Sequence, residues 1–301
     1  MKRSNYQVSR GIAGFAVGLG LLLSATTGGC RGDKGPQHTG APPDQDRSTL
    51  QAPTPEDSEP IVRLDPPTLE EPKVDAPKGV LLRLNLKPGQ SFVRVFRGES
   101  RISLEGAEPV VQKFSMSVTS SVESQDGDIY TLKLVATPLT VEKGEATERS
   151  GFFTEKPTVV DVDSRGRLLT PPEAVVAAVQ LIGFIPFPEK RIVPGTSWSM
   201  TGEREWPLLG KVKATETWTF LGEETVRGVR AYKVEQTTKS DVKGLKARAV
   251  FYFEATTGRL IGGNVRQEGT VSLPAPNGEA RQAEVSLVVE ITSDPGGGKS
   301  Q

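Results

Sequence analysis

Cysteine and histidine are almost missing from this chain, which has one of each among its 301 residues. A single cysteine cannot form an intramolecular disulfide, so the fold must rest on an ordinary hydrophobic core. From residue 78 onward neither residue type occurs. This excludes Ser-His-Asp and Cys-His catalysis, the usual zinc sites and histidine acid–base chemistry from that part of the chain.

An excess of basic charge is also missing, because 37 Lys and Arg are balanced by 37 Asp and Glu. Nucleic-acid binding needs a clustered basic excess, so we expect no nucleic-acid partner. Aromatic residues make up only 6% of the chain, whereas glycine (32) and proline (23) are frequent. This composition is typical of a turn-rich β protein or of a folded domain that carries a disordered arm.

Paired carboxylates are the catalytic chemistry that remains open to this sequence. Glu203 and Glu205 lie beside Trp206, and strand alternation would place both acids on one face, as a glycosidase requires. Charged residues at this spacing are nearly always a solvated strand face. Asp163 lies in a segment that faintly resembles a calcium loop, but the pattern favours a hairpin. We therefore predict no catalytic residues, no metal, no cofactor and no enzymatic activity.

The first 29 residues have the order of a cleavable export signal. A basic start with Lys2 and Arg3 precedes an uncharged stretch from 11 to 27, and small residues then lead to Cys30. This order resembles the lipobox of bacterial lipoproteins, in which the cysteine is diacylated and the signal is cut just before it. Thr27 departs from the lipobox, where an aliphatic residue is most common. The alternatives are an uncleaved membrane anchor, for which the apolar stretch is short, and a plain signal.

Arg31 follows the cysteine, where Asp would signal inner-membrane retention in families that sort lipoproteins. The resemblance implies a lipid-anchored protein of the cell envelope, in the outer membrane facing the periplasm rather than in the inner membrane. Its partner there would be the membrane, through the lipid on Cys30. Residues 30–77 are rich in proline and acids and have no aromatic residue. We predict that this segment is a disordered tether.

From residue 78 the apolar residues alternate with polar ones, which is the pattern of strands. The clearest runs are Val80-Leu82-Leu84-Leu86, Phe114-Met116-Val118, Tyr130-Leu132-Leu134, Trp218-Phe220, Tyr232-Val234 and Val285-Leu287-Val289-Ile291. Turn signals such as Asp126-Gly127-Asp128, Arg227-Gly228 and Thr257-Gly258 separate these runs. We predict a mainly β domain over 78–295, built as a curved antiparallel sheet or half-barrel, and a flexible tail over 296–301.

One segment breaks the alternation and predicts a short central helix. Thr170-Pro171-Pro172-Glu173 has the features of a helix start, and the residues from 174 to 182 are apolar nearly all round. This helix either packs as core over the open side of the sheet or forms a lid over an apolar cavity. The residues that would line such a cavity are Val175, Val179, Ile182, Phe184 and Trp218. The tryptophans Trp198, Trp206 and Trp218 are otherwise expected in the core.

The chain also contains two pairs of similar turns. Residues 87–92 resemble residues 193–198, and residues 162–168 resemble residues 253–260, in the same order. Short turn motifs also arise by chance. If the similarity is real, the domain consists of two similar β-modules, over 78–170 and 188–295.

Three motifs together resemble an uncharacterised family of exported bacterial lipoprotein domains. They are Lys87-Pro88-Gly89, the spacing Phe-Pro-x-x-x-x-x-Pro-Gly-x-x-Trp from Phe187 to Trp198, and Gly-x-x-Ala-Tyr from Gly228 to Tyr232. The resemblance implies architecture and location only. More distantly, the pattern is similar to the half-barrel carriers that move lipoproteins through the periplasm.

Two functions are compatible with these features. The first is a non-enzymatic binding module, in which the curved sheet and the 171–187 segment enclose an apolar or lipidic ligand. The second is an envelope scaffold with a filled core, which binds another protein on its surface. We favour the binding module, because the apolar segment is longer than covering a sheet requires.

Overall fold

The structure is a computed structural model, and it describes residues 68–73, 78–143, 146–150, 157–169, 185–206, 210–242, 244–274 and 280–293. The predicted export signal, Cys30, the tail over 296–301 and the predicted helix after Thr170 lie outside the described residues. The described residues contain no helix. Within those ranges, therefore, no helix is long and apolar enough to cross a membrane.

Thirteen β-strands make up the described fold. The first seven are β1 (Thr68–Glu70), β2 (Ser91–Leu104), β3 (Val110–Asp126), β4 (Ile129–Ala136), β5 (Leu139–Lys143), β6 (Ala146–Ser150) and β7 (Thr158–Asp163). The other six are β8 (Ser197–Trp206), β9 (Gly210–Val226), β10 (Val229–Ser240), β11 (Lys246–Glu254), β12 (Leu260–Pro274) and β13 (Ala280–Ser293).

All thirteen strands pair antiparallel in one open sheet of order β1-β8-β9-β10-β11-β12-β13-β2-β3-β4-β7. β5 and β6 lie off this path, where β5 pairs with both β3 and β6. Strands β8 to β13 are sequential neighbours, and the sheet then continues from β13 to β2, where Val289 is opposite Gly98. The two predicted halves of the chain therefore meet within one continuous sheet, and the predicted mainly β fold with a curved antiparallel sheet is confirmed.

The sheet curves around a single main core on its concave face. Val160 of β7 and Trp198 of β8 lie near opposite edges of the sheet, yet both belong to this one apolar cluster. The alternating side chains of the central strands fill it, with Phe96, Leu287 and Phe251 almost fully buried. Since successive side chains of a strand point to opposite faces, period-two alternation in the sequence gives one apolar face and one solvated face.

Two segments outside the sheet, residues 80–86 and 185–192, cover one end of the concave face, which we call the closed end. Val80 forms an isolated bridge with Ile192, and Leu82 and Leu86 are buried in the main core. Leu84 donates its backbone N–H to Ser164 at 2.7 Å. The alternation from Val80 to Leu86 predicted a strand of the sheet. That prediction was wrong, because the backbone of this segment bonds to turns rather than to a neighbouring strand, although its inner residues are buried as expected.

The ordered sheet begins earlier than the predicted end of the tether at residue 77. β1 pairs with the edge of β8, where Leu69 is opposite Met200. Glu71 accepts a hydrogen bond from the backbone of Glu189 at 2.8 Å and also pairs with Arg165. The tether boundary is corrected accordingly, because residues 68–73 have sheet and ion-pair partners that their proline-rich composition did not predict.

The turns that lead into β2 and β8 make matching hydrogen bonds. Gly89 donates its backbone N–H to Val122 at 2.8 Å, and Gly195 donates its own to Phe220 at 2.7 Å. In both cases the β-ladder shifts register directly after the accepting residue, between β3 and β4 and between β9 and β10. The similar turns of the sequence thus occupy equivalent places in the two halves of the sheet.

Candidate ligand-binding face

The closed end of the concave face contains a cavity of about 30 Å³. Phe92, Leu132 and Phe187 contribute to its apolar wall, and Arg94 and Arg259 also line it. This volume holds about one water molecule and no acyl chain. The main core is therefore closely packed at this end, where the segments around Leu82 and Phe187 fold back over the sheet.

Two buried arginines lie at this cavity, and the guanidinium of each lies over the same aromatic ring. The guanidinium of Arg94 lies 5.4 Å from the centre of the Phe92 ring, and that of Arg259 lies 5.9 Å from it. Arg94 also donates to the hydroxyl of Ser120 at 2.8 Å. Burial lowers the pKa of the Arg94 guanidinium from its ordinary value to about 9. No motif marks Arg94, but its place between the inward Phe92 and Phe96 was a signal that it faces the core.

Arg259 is held by an acid at the end of β11. Its Nε donates to Glu254 at 2.7 Å, and the hydroxyl of Thr257 donates to the same carboxylate at 2.6 Å. Burial acts to raise the pKa of Glu254, but these hydrogen bonds outweigh it and leave the pKa below its ordinary value. The pair therefore stabilises the turn as an ion pair.

The segment with a faint likeness to a calcium loop is a turn, as predicted. Asp163 accepts hydrogen bonds from the backbone N–H groups of Arg165 and Arg167, at 3.0 and 2.8 Å, and from the Arg167 side chain. Its carboxylate is thus used within the turn. Among the described residues, no group of three acidic, histidine or cysteine side chains is placed to hold a metal ion.

The acid pair of β8 is only partly described. Glu203 is exposed and lies opposite Lys213 in the ladder, which agrees with a solvated strand face. The side chains of Glu205 and Trp206 lie outside the described residues.

Two of the three tryptophans lie stacked in the core, as predicted. The rings of Trp198 and Trp218 are 6.3 Å apart and inclined by 24°. Trp198 donates its Nε1–H to the carbonyl of Pro186 at 2.8 Å, which fixes the end of the central apolar segment against β8. The Nε1 of Trp218 is buried and has no hydrogen-bond partner in the described part of the chain.

Of the residues predicted to line a ligand cavity, only Trp218 is described. It faces the concave side but does not line the small cavity at the closed end. Val175, Val179, Ile182 and Phe184 lie outside the described residues, and their role stays a prediction. Ile185, the next residue along the chain, is buried against the same concave face.

A row of neutral polar side chains crosses the middle of the concave face. Ser100 of β2 lies opposite Gln112 of β3 and, on its other side, opposite Leu287 of β13. Gln267 of β12 is opposite Leu287 in turn. Each of the three polar residues is only 1% exposed. We call Ser100, Gln112 and Gln267 the polar row.

The hydrogen-bonding groups of the polar row have no partner among the residues that the structure describes. The hydroxyl of Ser100 and both amide atoms of Gln112 and Gln267 are buried, and none has a partner within the described ranges. Folded proteins pair the great majority of such atoms, so each exception needs a reason. No motif singled out these residues. The sequence did contain one indication of them, a glutamine at a position of an alternating strand that should face the core. Gln112, four residues before Met116, is an example.

Beyond the polar row the concave face becomes apolar again. Ile102, Val271, Ala283 and Val285 form a buried cluster that is separate from the main core, and we call it the distal cluster. A further small cluster joins Val212 and Leu245. Along β2, the concave face thus changes from apolar at Phe96 to polar at Ser100 and back to apolar at Ile102.

Comparisons with known proteins give weak similarities to solved structures. No protein-family model matches the chain, and no curated protein matches it either. The hypothetical lipoprotein YmcC of Escherichia coli is 10% identical, with a TM-score of 0.25 over 65% of this chain and 86% of its own. A putative exported protein of Bacteroides fragilis with a YmcC-like fold is 7% identical, with a TM-score of 0.29 over 69% of this chain and 98% of its own.

Lipovitellin, in a structure described by its lipid–protein interactions, is 13% identical with a TM-score of 0.34. That similarity covers 72% of this chain but only 26% of the lipovitellin chain. Two of these three structures are uncharacterised bacterial proteins described as a lipoprotein or as exported, which is the type of family that the sequence motifs resemble. Because every one of these TM-scores is below 0.5, they carry no argument about function.

Proposed function

We propose that this protein is a lipid-anchored binding module of the bacterial cell envelope, and that the concave face of its sheet holds an apolar or lipidic ligand. The anchor is the lipid on Cys30, and the outer membrane facing the periplasm is the proposed location. The module binds its ligand without catalysing a reaction.

The separate distal cluster is the observation that carries this proposal. A domain with a filled core has one contiguous apolar cluster, with smaller clusters under its long loops. Here the apolar lining of the concave face is interrupted by the polar row and resumes at Ile102 and Val285. Ligand pockets are typically lined by apolar side chains together with a few placed polar groups, and the distal cluster and the polar row supply this combination.

The closed end of the concave face supplies the rigid base for such a pocket. The main core fills it around a water-sized cavity beside Phe92. The predicted apolar segment of residues 171–187 ends there, at Phe187, whose ring packs edge-on against Phe253 with centroids 5.1 Å apart. We propose that the ligand lies further along the concave face, towards the distal cluster, and that the apolar segment covers it.

A test uses the apolar fluorophore N-phenyl-1-naphthylamine and the mature chain from residue 30 onward. Binding of the fluorophore in the pocket raises its emission, and Val285→Asp should abolish this rise because Val285 is a buried part of the distal cluster. Val288→Asp is the matched control, since Val288 lies on the same strand but is 49% exposed. Circular dichroism checks that both variants fold. Equal binding by the two variants would overturn the proposal.

A further inference from the structure

We infer that the polar row of Ser100, Gln112 and Gln267 binds the ester or amide carbonyl of an acyl lipid. This inference rests on the proposed function, because it names the class of ligand that the same concave face would hold.

The unused hydrogen-bonding groups are the first step of the argument. A buried polar group without a partner costs about 1–3 kcal/mol of stability. In Gln112 and Gln267 both the amide nitrogen and the carbonyl oxygen are in this state, and Ser100 adds its hydroxyl. Three such side chains in one register row indicate groups that serve binding, since apolar residues at these positions would make a more stable fold.

The charge of the row limits the ligand group to a neutral one. Glutamine and serine each donate and accept hydrogen bonds without carrying a charge. Beyond Gln267, the same line of cross-strand neighbours runs through Ala247 and Thr238 to Glu216 of β9. Glu216 is also buried. From Gln112 to Glu216 the described residues of this line include no lysine or arginine, and the acidic side chain of Glu216 disfavours a phosphate or carboxylate. An ester or amide carbonyl, which accepts hydrogen bonds and is uncharged, fits these groups.

The apolar surfaces on both sides of the row identify the rest of the ligand. Phe96 lies on the concave face on one side of Ser100 along β2, and Ile102 lies on the other. A molecule that crosses the row therefore needs apolar atoms on both sides of its polar linkage. An acyl lipid whose ester or amide joins two hydrocarbon parts has this order.

The test compares two ligands that differ in one carbonyl group. Hexyl octanoate and hexyl octyl ether, which have hydrocarbon on both sides of the linkage, compete with N-phenyl-1-naphthylamine for the mature chain, below the concentration at which they aggregate. We expect the acyl compound to bind roughly tenfold more tightly than the ether. The double variant Gln112→Met/Gln267→Met should lose most of this preference, because Ser100 is then the one member of the polar row that remains. Gln282→Met is the control, because Gln282 is exposed and its amide bonds to Ser272.

The outcomes separate this inference from the proposed function. Equal affinity of the unaltered chain for the acyl and ether compounds would overturn the inference, while leaving a face that binds apolar molecules. Absence of all binding, including that of the fluorophore, would overturn both. The comparison of the two ligands on the unaltered chain decides the inference even where the double variant does not fold.

Discussion

Glu71 forms a salt bridge with Arg165, although the two residues are far apart in the chain. The same carboxylate accepts a hydrogen bond from the backbone of Glu189. One side chain thus joins the segment after β1 to the turn after β7 and to the end of the central apolar segment. The contact lies at the closed end of the concave face, and it holds together three pieces of chain that the sheet itself does not join.

Replacing Glu71 tests how strongly this contact holds the closed end. We expect Glu71→Ala to lower the free energy of unfolding by about 1–3 kcal/mol, because Arg165 is largely buried and would lose the nearer of its two acidic partners. Hydrogen exchange should quicken in residues 68–73 and 185–190. The control is Glu70→Ala, because the Glu70 carboxylate accepts a solvent-exposed hydrogen bond from the hydroxyl of Ser199. Equal effects of the two variants would contradict the assigned role of Glu71.

The two stacked tryptophans should respond differently to the same substitution. Trp198→Phe removes the hydrogen bond to the carbonyl of Pro186, whereas Trp218→Phe removes a buried N–H that has no partner among the described residues. The loss of packing is similar in the two cases. We expect Trp198→Phe to be the more destabilising by about 1–3 kcal/mol, measured by urea denaturation. A larger destabilisation by Trp218→Phe would show instead that the Trp218 nitrogen is the one that forms a hydrogen bond.

Gly258 lies where the segment from Val80 to Leu86 comes closest to the sheet. Its φ is +67°, and a Cβ built there would lie against the carbonyl group of Arg83, 2.7 Å from its carbon. Gly228 is a matched control, since its φ is +80° and nothing lies within 4 Å of the corresponding Cβ.

Both alanine variants carry the strain of a positive φ, which costs about 1–2 kcal/mol. We expect Gly258→Ala to cost a further 1–3 kcal/mol, roughly as overpacking does. Thermal unfolding of the two variants measures the difference. Equal midpoints would mean that the segment before β2 is not packed on this turn.

The Glu254–Arg259 pair predicts a specific dependence on pH. Because hydrogen bonds from Thr257 and Arg259 hold the pKa of Glu254 below its ordinary value of 4.5, the carboxylate stabilises the fold above that pH. This contribution is lost as the pH falls through the lower pKa of the folded state. Glu254→Gln should therefore be less stable than the unaltered chain by about 1–2 kcal/mol at neutral pH. The difference should shrink as the solution becomes more acidic than pH 4.5.

The exposed pair of Glu268 and Arg266 provides the control for this titration. Glu268→Gln should change the free energy of unfolding by less than about 0.5 kcal/mol at any of these pH values. A stability difference for Glu254→Gln that stays constant from neutral to acidic pH would show that the carboxylate charge is not what stabilises the turn.

Alternation made most of the sheet predictable from the sequence, because each strand has one buried face. The inward positions of β3, β4 and β13 follow the pattern read from Met116, Leu132 and Leu287. Alternation shows which side chains are buried, however, and not which strand the backbone pairs with. The residues from Val80 to Leu86 alternate like a strand, yet they cross the end of the concave face and bond to turns.

The polar row could not be predicted in the same way, because register decides which side chains of different strands become neighbours. Ser100 and Gln112 meet across the hairpin of β2 and β3, but Gln267 is far from them in sequence, and only the pairing of β12, β13 and β2 brings it into the same row. The sequence shows each of them as a single polar residue in an apolar pattern. Their common row depends on the contact between β13 and β2, which joins the two halves of the chain.

Native mass spectrometry tests the central claim, that the concave face holds a lipidic ligand, most directly. The mature chain with Cys30→Ala is exported behind a cleavable signal that adds no lipid, and is purified from the cell envelope without detergent. We expect a discrete added mass that is lost on denaturation and is identified as an acyl lipid. A chain that carries no added mass, and that copurifies with another protein instead, would contradict the account and favour a scaffold with a filled core.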